Sequence, residues 1–116
     1  MPGHALIIED ELVVGLDLQA QLSALGYDSF AFAATEGQAL EQARLACPDL
    51  ITADMGLLSG DGAAAVAAIL AECGPPPVIY ISGDRARLDR LAGQATLEKP
   101  VTPHRLAQAV QQAAAI

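Results

Sequence analysis

Five polar residues whose side chains suit phosphate or magnesium chemistry stand directly after short, mainly apolar segments of this sequence. In chain order they are Glu9, Asp10, Asp54, Ser82 and Lys99, the last being the only lysine. The segments before them are residues 5–8, 50–53, 78–81 and 95–98. If these segments are neighbouring parallel strands, their carboxyl ends share one edge of a sheet, where open α/β sheets bind ligands. The pattern therefore predicts one site at that edge, suited to metal-dependent phosphorylation of an aspartate.

The acidic members of this set predict a cation site. Two unit charges about 4 Å apart repel by roughly 4 kcal/mol at an effective dielectric constant near 20. Grouped carboxylates therefore favour a bound cation, and oxygen ligands suit Mg²⁺, which takes one or two carboxylates and keeps several waters. We expect Glu9, Asp10 and Asp54 to form this acidic pocket, with Asp54 as the nucleophile that carries a phosphoryl group.

The other members supply groups that a phosphorylated aspartate needs. The hydroxyl of Ser82 can donate a hydrogen bond to the phosphoryl group, and Lys99 can place a positive charge on its oxygens. Gly56 and Gly83 lack side chains, so backbone N–H groups and water can approach closely. Taken singly, each residue has an ordinary interpretation as a turn, a helix cap or a solvated charge. Their joint position after four different strands is what indicates a site.

These residues are positioned by an alternation of strands and helices along the chain. The predicted strands are residues 5–8, 29–33, 50–53, 78–81 and 95–98. The predicted helices are residues 11–25, 35–47, 62–73, 84–92 and 102–115. Such alternation is typical of a doubly wound α/β fold, in which helices cover both faces of a parallel sheet.

Three helix ends carry recognisable signals. Gly26 follows the first helix and is a plausible C-terminal stop. Thr35 begins the second helix as an N-cap, and Gln38, three residues later, completes a capping box. Thr102 is the expected N-cap of the last helix, with Pro103 at its first position.

Length and composition limit the class of protein. The 116 residues fit one domain, residues 1–116, and 53% of them are hydrophobic, which excludes global disorder. The net charge of −8 argues against nucleic acid as a partner, because nucleic acid demands a basic face. No apolar run approaches the roughly 20 residues that span a bilayer, and no signal peptide is visible. We therefore expect a cytoplasmic protein with no membrane partner.

We expect the two cysteines and a group of three arginines to have no part in the site. Cys47 and Cys73 are not part of a Cys-x-x-Cys pair, so we expect both to be reduced and buried. Arg85, Arg87 and Arg90 stand close together in the sequence, and we expect them to form a solvated face.

In this combination of motifs the chain resembles the receiver (CheY-like) domains of two-component response regulators. The resemblance covers essentially the whole chain, and it rests on Glu9-Asp10, Asp54, Ser82-Gly83 and Lys99-Pro100. It implies a five-stranded parallel sheet in the order 2-1-3-4-5, flanked by five helices. It also implies a Lys99–Pro100 peptide bond that is often cis in the family.

The resemblance implies that Mg²⁺ is the cofactor and gives each metal ligand a role. Asp10 matches the direct carboxylate ligand, and Glu9 matches a ligand that acts through water. Asp54 contributes a further carboxylate oxygen. Gly56 matches the position whose backbone carbonyl binds the metal.

The resemblance also gives roles to the residues that would contact the phosphoryl group. Asp54 matches the phosphoacceptor, and Ser82 and Lys99 match the residues that bind its phosphoryl group. The donor would be a sensor histidine kinase or a histidine phosphotransfer protein. We therefore expect a single-domain response regulator, a monomer or weak homodimer that acts in a phosphorelay by protein contact and is not otherwise an enzyme.

The chain departs from the family pattern at several places, which keeps alternatives open. Leu58 stands where the family often has proline, Thr96 stands at the usual aromatic switch position, and the segment between Ser82 and Lys99 is several residues short. A degenerate receiver that binds partners without being phosphorylated is one alternative. A flavin-binding module on the same fold is another, although the loop after the first strand is acidic and tryptophan is absent.

Overall fold

Five parallel strands and five helices alternate along the chain in the computed structural model, which describes residues 3–56, 62–91 and 93–116. The strands are β1 (His4–Ile8), β2 (Ser29–Ala33), β3 (Leu50–Asp54), β4 (Val78–Ser82) and β5 (Ala95–Glu98). The helices are α1 (Leu12–Ala24), α2 (Glu36–Leu45), α3 (Gly62–Glu72), α4 (Arg85–Asp89) and α5 (Pro103–Ala115). The strands form one sheet in the spatial order β2-β1-β3-β4-β5, so the predicted doubly wound topology is confirmed.

The central strand shows why this sequence forms a parallel sheet. Every residue of β3 is buried, as expected for a strand whose two faces are both covered by helices. Side chains alternate between the two faces of a strand, so neighbouring residues such as Ile7 and Ile8 enter different cores. One core lies between the sheet and the helices α1 and α5, and the other lies between the sheet and the helices α2 and α3.

The sequence signals at the helix ends are largely realised. Thr35 accepts a hydrogen bond from the backbone N–H of Gln38 at 3.1 Å, while the Gln38 side chain accepts one from Ala34 at 2.8 Å. Gly26 has a φ of 105° after α1, a conformation that favours glycine. Thr102 occupies the N-cap position of α5 and Pro103 begins the helix, as predicted, although the Thr102 side chain makes no capping hydrogen bond.

Some boundaries differ from the prediction. Both β3 and β4 include the polar residue at their carboxyl end, because Asp54 and Ser82 continue the pairing with the neighbouring strands. The fourth helix is shorter than predicted and consists of five residues. Among the residues that the structure describes, no helix is both long enough and apolar enough to cross a membrane.

Cys47 and Cys73 form a disulfide with their Cα atoms 5.8 Å apart, so the expectation of two reduced thiols is wrong. Each cysteine follows a helix that packs on the same face of the sheet, and both helices end at the same edge. The adjacent Arg44 and Glu72 form an ion pair at 3.0 Å. The C-terminal ends of α2 and α3 are therefore joined by a covalent bond and an ion pair.

Candidate metal and phosphoryl site

The carboxyl ends of four neighbouring strands bring the predicted site residues to one edge of the sheet. Strand pairing aligns Ile8 with Ala53, and it aligns Asp54 with Ile81 on the next strand. Further along the sheet, Ser82 is aligned with Glu98, and the backbone N–H of Lys99 donates to the Ser82 carbonyl at 2.9 Å. Residues that are far apart in sequence thus occupy consecutive positions across one edge.

The acidic residues form a cluster. Glu9, Asp10 and Asp54 each offer a carboxylate oxygen, and these oxygens lie within 4.8 Å of one another. Glu9 is 7% exposed and Asp54 is 6% exposed, whereas Asp10 is half-buried. Low exposure strengthens the repulsion between like charges, because solvent screens them less.

A divalent cation fits this cluster. Oε1 of Glu9 is buried and accepts no hydrogen bond from the described part of the protein, although it lies 3.4 Å from the amine of Lys99. A buried oxygen normally accepts a hydrogen bond or binds a cation. Carboxylate oxygens are the ligands that Mg²⁺ prefers in proteins. The chemistry of the donor set and the buried oxygen that accepts no hydrogen bond therefore both fit the predicted metal.

Gly56 lies next to the carboxylate of Asp54. Its backbone N–H donates a hydrogen bond to Oδ1 of Asp54 at 3.0 Å, which fixes the orientation of that carboxylate. The other oxygen, Oδ2, faces Lys99, whose Nζ lies 3.3 Å away. The two oxygens of Asp54 are thus held by different partners.

Lys99 bridges two acidic residues. Its Nζ is 3.3 Å from Asp54 and 3.4 Å from Oε1 of Glu9. Burial opposes the charged form of the amine, but the carboxylates of Glu9 and Asp54 outweigh it and raise the pKa of Lys99. The amine therefore remains protonated at neutral pH and supplies a fixed positive charge.

The pKa of the Glu9 carboxyl group is also raised, which for an acid favours the neutral form. Burial and the neighbouring charge of Asp54 raise the pKa of Glu9 from 4.5 to about 7, although the Glu11 backbone N–H and Lys99 both favour its ionised form. Because the carboxyl is buried beside a like charge, it holds a proton into the neutral range. A cation in the cluster would displace that proton.

Ser82 is 5% exposed at the end of β4. Its Oγ accepts a hydrogen bond from the backbone N–H of Asp84 at 3.0 Å, and a hydroxyl that accepts one bond can still donate another. Asp84 in turn caps α4 by accepting from Ala86 at 3.0 Å. The hydroxyl is thereby connected to the start of α4.

Two of the sequence features that were compared with the family pattern can be checked in the structure, and one cannot. Thr96 lies half-buried in β5, opposite Tyr80 of β4, so no aromatic ring stands at that switch position. Leu58 lies outside the described residues. The Lys99–Pro100 peptide bond is cis, in agreement with the resemblance.

Arg87 is the site residue that the sequence did not indicate. Its Nη1 donates a hydrogen bond to the backbone carbonyl of Met55 at 3.0 Å, directly beside Asp54. Arg85 lies at the surface as expected, with its side chain 63% exposed, and it pairs with Asp89 at 3.4 Å and Glu98 at 3.8 Å. The spacing in the sequence was the available signal for this contact. Arg87 stands five residues after Ser82, so a short helix that begins after Ser82 can direct the arginine side chain toward the site.

Solved structures with the same fold include several receiver proteins. The receiver domain of the response regulator PhyR from Erythrobacter litoralis is 30% identical, with a TM-score of 0.86 over 99% of this chain and 92% of that one. A structure described as the PhyR stress response regulator is 36% identical, with a TM-score of 0.83 over 97% of this chain. A mutant of the anti-anti-sigma factor PhyR from Bartonella quintana is 28% identical, with a TM-score of 0.83 over 98% of this chain.

The chain spans about half the length of the latter two proteins, covering 45% and 48% of them. No curated protein matches this chain. The profile of the response regulator receiver domain matches residues 5–111, which is nearly the whole chain and includes every strand that contributes to the site. The chain therefore belongs to the response regulator receiver domain family.

Proposed function

We propose that this chain accepts a phosphoryl group on Asp54 from a phosphohistidine, in a Mg²⁺-dependent reaction, and signals by protein contact. The observation that carries the proposal is the position of Lys99, whose amine lies at 3.3 Å from Asp54 inside an acidic cluster that fits a metal. A carboxylate, a cation and a hydroxyl at one sheet edge are the groups that transfer to an aspartate requires.

Glu9, Asp10 and Asp54 would hold the metal, together with the backbone at Gly56. When bound, Mg²⁺ offsets the repulsion between these carboxylates and an incoming phosphoryl group. The chain's own residues provide the rest. A carboxylate oxygen of Asp54 forms a bond to phosphorus as the phosphorus–nitrogen bond of the donor histidine breaks, and the departing imidazole nitrogen takes up a proton. Lys99 balances the charge of the phosphoryl oxygens, and Ser82 donates a hydrogen bond to them.

The surface beside the site supports a protein donor. A groove of about 640 Å³ lies between the start of α1 and the segment that contains Lys99 and Pro100. Valine side chains border it, and Val13 is 79% exposed. Exposed apolar groups at the rim of a site are typical of a protein contact. We propose that a sensor histidine kinase or a phosphotransfer protein binds here, which would place the chain in the cytoplasm.

A second candidate function is that of a receiver that binds its partner without phosphorylation. Thr96 at the switch position and the five-residue α4 favour it, because both alter the part of the fold that follows the hydroxyl Ser82. The Bartonella relative, described as an anti-anti-sigma factor, likewise suggests action through protein binding. The two candidates differ in one measurable property, the acquisition of a phosphoryl group.

The test is incubation of the purified protein with Mg²⁺ and acetyl phosphate, followed by intact mass measurement. A metal-dependent gain of one phosphoryl group, absent in Asp54→Asn, is the expected result. Asp28→Asn, which removes the same charge from an exposed position far from the site, is the matched control and should be labelled like the parent. Absence of labelling in the parent would overturn the proposal and favour the phosphorylation-independent receiver.

A further inference from the structure

Arg87 reaches from α4 to the loop that follows Asp54. Arg87 is an exposed residue, yet its Nη1 donates a 3.0 Å hydrogen bond to the Met55 carbonyl. This bond joins the short helix after the hydroxyl Ser82 to the residue directly after the acceptor. A long, flexible side chain loses conformational entropy when it is fixed in this way, so the contact has to be favourable.

The guanidinium lies close to the acceptor carboxylate. A methyl group built on Gly56 would contact Nη1 of Arg87 at 3.7 Å and Oδ1 of Asp54 at 3.9 Å. That position is within van der Waals distance of both groups, so the guanidinium and Oδ1 border the same gap. Gly56, which has no side chain, leaves that gap open. The carboxylate thus has Lys99 at Oδ2, while Arg87 borders the open space on the side of Oδ1.

The two cations are unequally engaged. Lys99 is already ion-paired with Glu9 and Asp54, whereas Arg87 donates to a neutral carbonyl. A guanidinium has five N–H donors in a planar fork and binds phosphate oxygens in a bidentate manner. A hydrogen bond to a charged oxygen is about twice as strong as one to a neutral carbonyl. A phosphoryl group on Asp54 would therefore compete effectively with the Met55 carbonyl for Arg87.

We propose that Arg87 is a second cationic contact for the phosphoryl group on Asp54. Its Nη1 leaves the Met55 carbonyl and donates to a phosphoryl oxygen when the acceptor is occupied. The inference rests on the proposed function of Asp54 and adds to it a phosphoryl-binding residue on α4. Because Ser82 is also joined to α4 through Asp84 and Ala86, both groups would draw the start of this helix toward the acceptor.

The test is a titration of the ¹⁵N-labelled protein with beryllofluoride, a mimic of the phosphoryl group, at saturating Mg²⁺. In the parent, the backbone amide signals of Met55 and Ala86 should shift on binding. Arg87→Ala should weaken beryllofluoride binding about tenfold, the size expected for loss of one charge-assisted hydrogen bond. It should also reduce the shift of Ala86, because only Ser82 would then draw α4 toward the acceptor. Arg87→Lys, which retains the charge but not the fork, should restore part of the affinity.

Arg90→Ala is the matched control, because it removes the same charge from an exposed position directly after the same helix. It should bind beryllofluoride like the parent. Affinity for Mg²⁺ alone, measured on each variant, separates phosphoryl contact from structural damage. Arg87→Ala should not weaken Mg²⁺ binding, since it removes a positive charge near a cation site.

Equal affinity of Arg87→Ala and Arg90→Ala for beryllofluoride would overturn the inference while leaving the proposed function intact. Loss of Mg²⁺ and beryllofluoride binding by the same factor in Arg87→Ala would also overturn it, because the residue would then only hold the loop in place. Failure of the parent to bind beryllofluoride, with Mg²⁺ still bound, would overturn the proposed function and this inference together.

Discussion

The Nζ of Lys99 lies 3.3 Å from Oδ2 of Asp54, although the two residues are 45 positions apart in sequence. The same amine is 3.4 Å from Glu9. In the metal-free protein, Lys99 therefore provides the positive charge that two buried carboxylates require. Since a metal would act on the same carboxylates, the amine and the metal oppose each other electrostatically before any phosphoryl group arrives.

Replacement of Lys99 by Met should consequently have two opposite effects. The affinity for Mg²⁺ should rise several-fold, because a positive charge about 4 Å from a carboxylate contributes on the order of 1 to 4 kcal/mol, depending on screening. Labelling by acetyl phosphate should fall, because the phosphoryl oxygens lose their cationic partner. Calorimetric titration at pH 8.5 and intact mass measurement check the two effects. Arg105→Met, at an exposed position on α5, is the control, and weaker Mg²⁺ binding by Lys99→Met would contradict the argument.

Much of the site could be predicted because its geometry follows from topology. Once residues 5–8, 50–53 and 78–81 are assigned as neighbouring parallel strands, Glu9, Asp54 and Ser82 have to meet at their carboxyl ends. No knowledge of side-chain packing is needed for that step. The same reasoning correctly placed Lys99 at the end of β5.

Contacts between helices could not be predicted in this way. The Cys47–Cys73 disulfide depends on α2 and α3 packing side by side, and local sequence contains no signal for the distance between two helices. The topology still offered a clue, because helices on one face of a parallel sheet end at the same edge. The contact from Arg87 to Met55 was missed because a surface arginine in sequence looks solvated, and only the short α4 directs it inward.

The raised pKa of Glu9 predicts a pH dependence of stability in the absence of metal. The folded protein releases this proton near pH 7, whereas the unfolded chain releases it near 4.5. Between these values the folded state holds more protons, so the free energy of unfolding should fall as the pH rises. Lys99, the cation facing Glu9, has a pKa raised above its ordinary value and stays charged throughout this range.

Glu9→Gln should remove that fall and be more stable than the parent at pH 8. Urea denaturation at pH 5 and pH 8, with a chelator present, measures both. Glu41→Gln controls for the loss of an exposed carboxyl group on α2. A parent protein that becomes more stable between pH 5 and pH 8 would show that Glu9 is not the dominant group. Added Mg²⁺ should restore the stability of the parent at pH 8, since it replaces the proton.

Reduction of the Cys47–Cys73 bond should destabilise the domain. The bond closes a loop with a sequence separation of 26 residues, and restricting the unfolded chain over such a loop stabilises the folded state by about 3 kcal/mol. Denaturation with and without reductant measures the difference. A Cys47→Ser/Cys73→Ser variant should resemble the reduced protein and not respond to reductant. Equal stability of the oxidised and reduced protein would contradict this prediction and show that the bond does not stabilise the fold.

Two glycines of the α1 region should respond oppositely to replacement by alanine. Gly15 lies within the helix, and an added methyl group would meet the Phe32 ring at 3.6 Å, an ordinary van der Waals distance. Gly15→Ala should therefore stabilise the domain by up to about 1 kcal/mol through helix propensity. Gly26 has a φ of 105°, so Gly26→Ala should destabilise the domain by about 1 kcal/mol or more. Thermal denaturation of the two variants checks the signs, and a destabilising Gly15→Ala would indicate that Phe32 cannot adjust.

The exposed apolar residues beside the site should matter for a protein donor but not for a small one. Val13→Asp places a charge in the groove next to Lys99, so it should slow phosphoryl transfer from a phosphorylated kinase or phosphotransfer protein at least about tenfold, a typical cost for a buried contact residue. Labelling by acetyl phosphate should stay within about twofold of the parent, because that donor needs no surface contact. Leu45→Asp, at an equally apolar and 76% exposed position on α2, is the matched control. If a panel of histidine kinases labels Val13→Asp and Leu45→Asp at equal rates, the donor binds elsewhere on the domain.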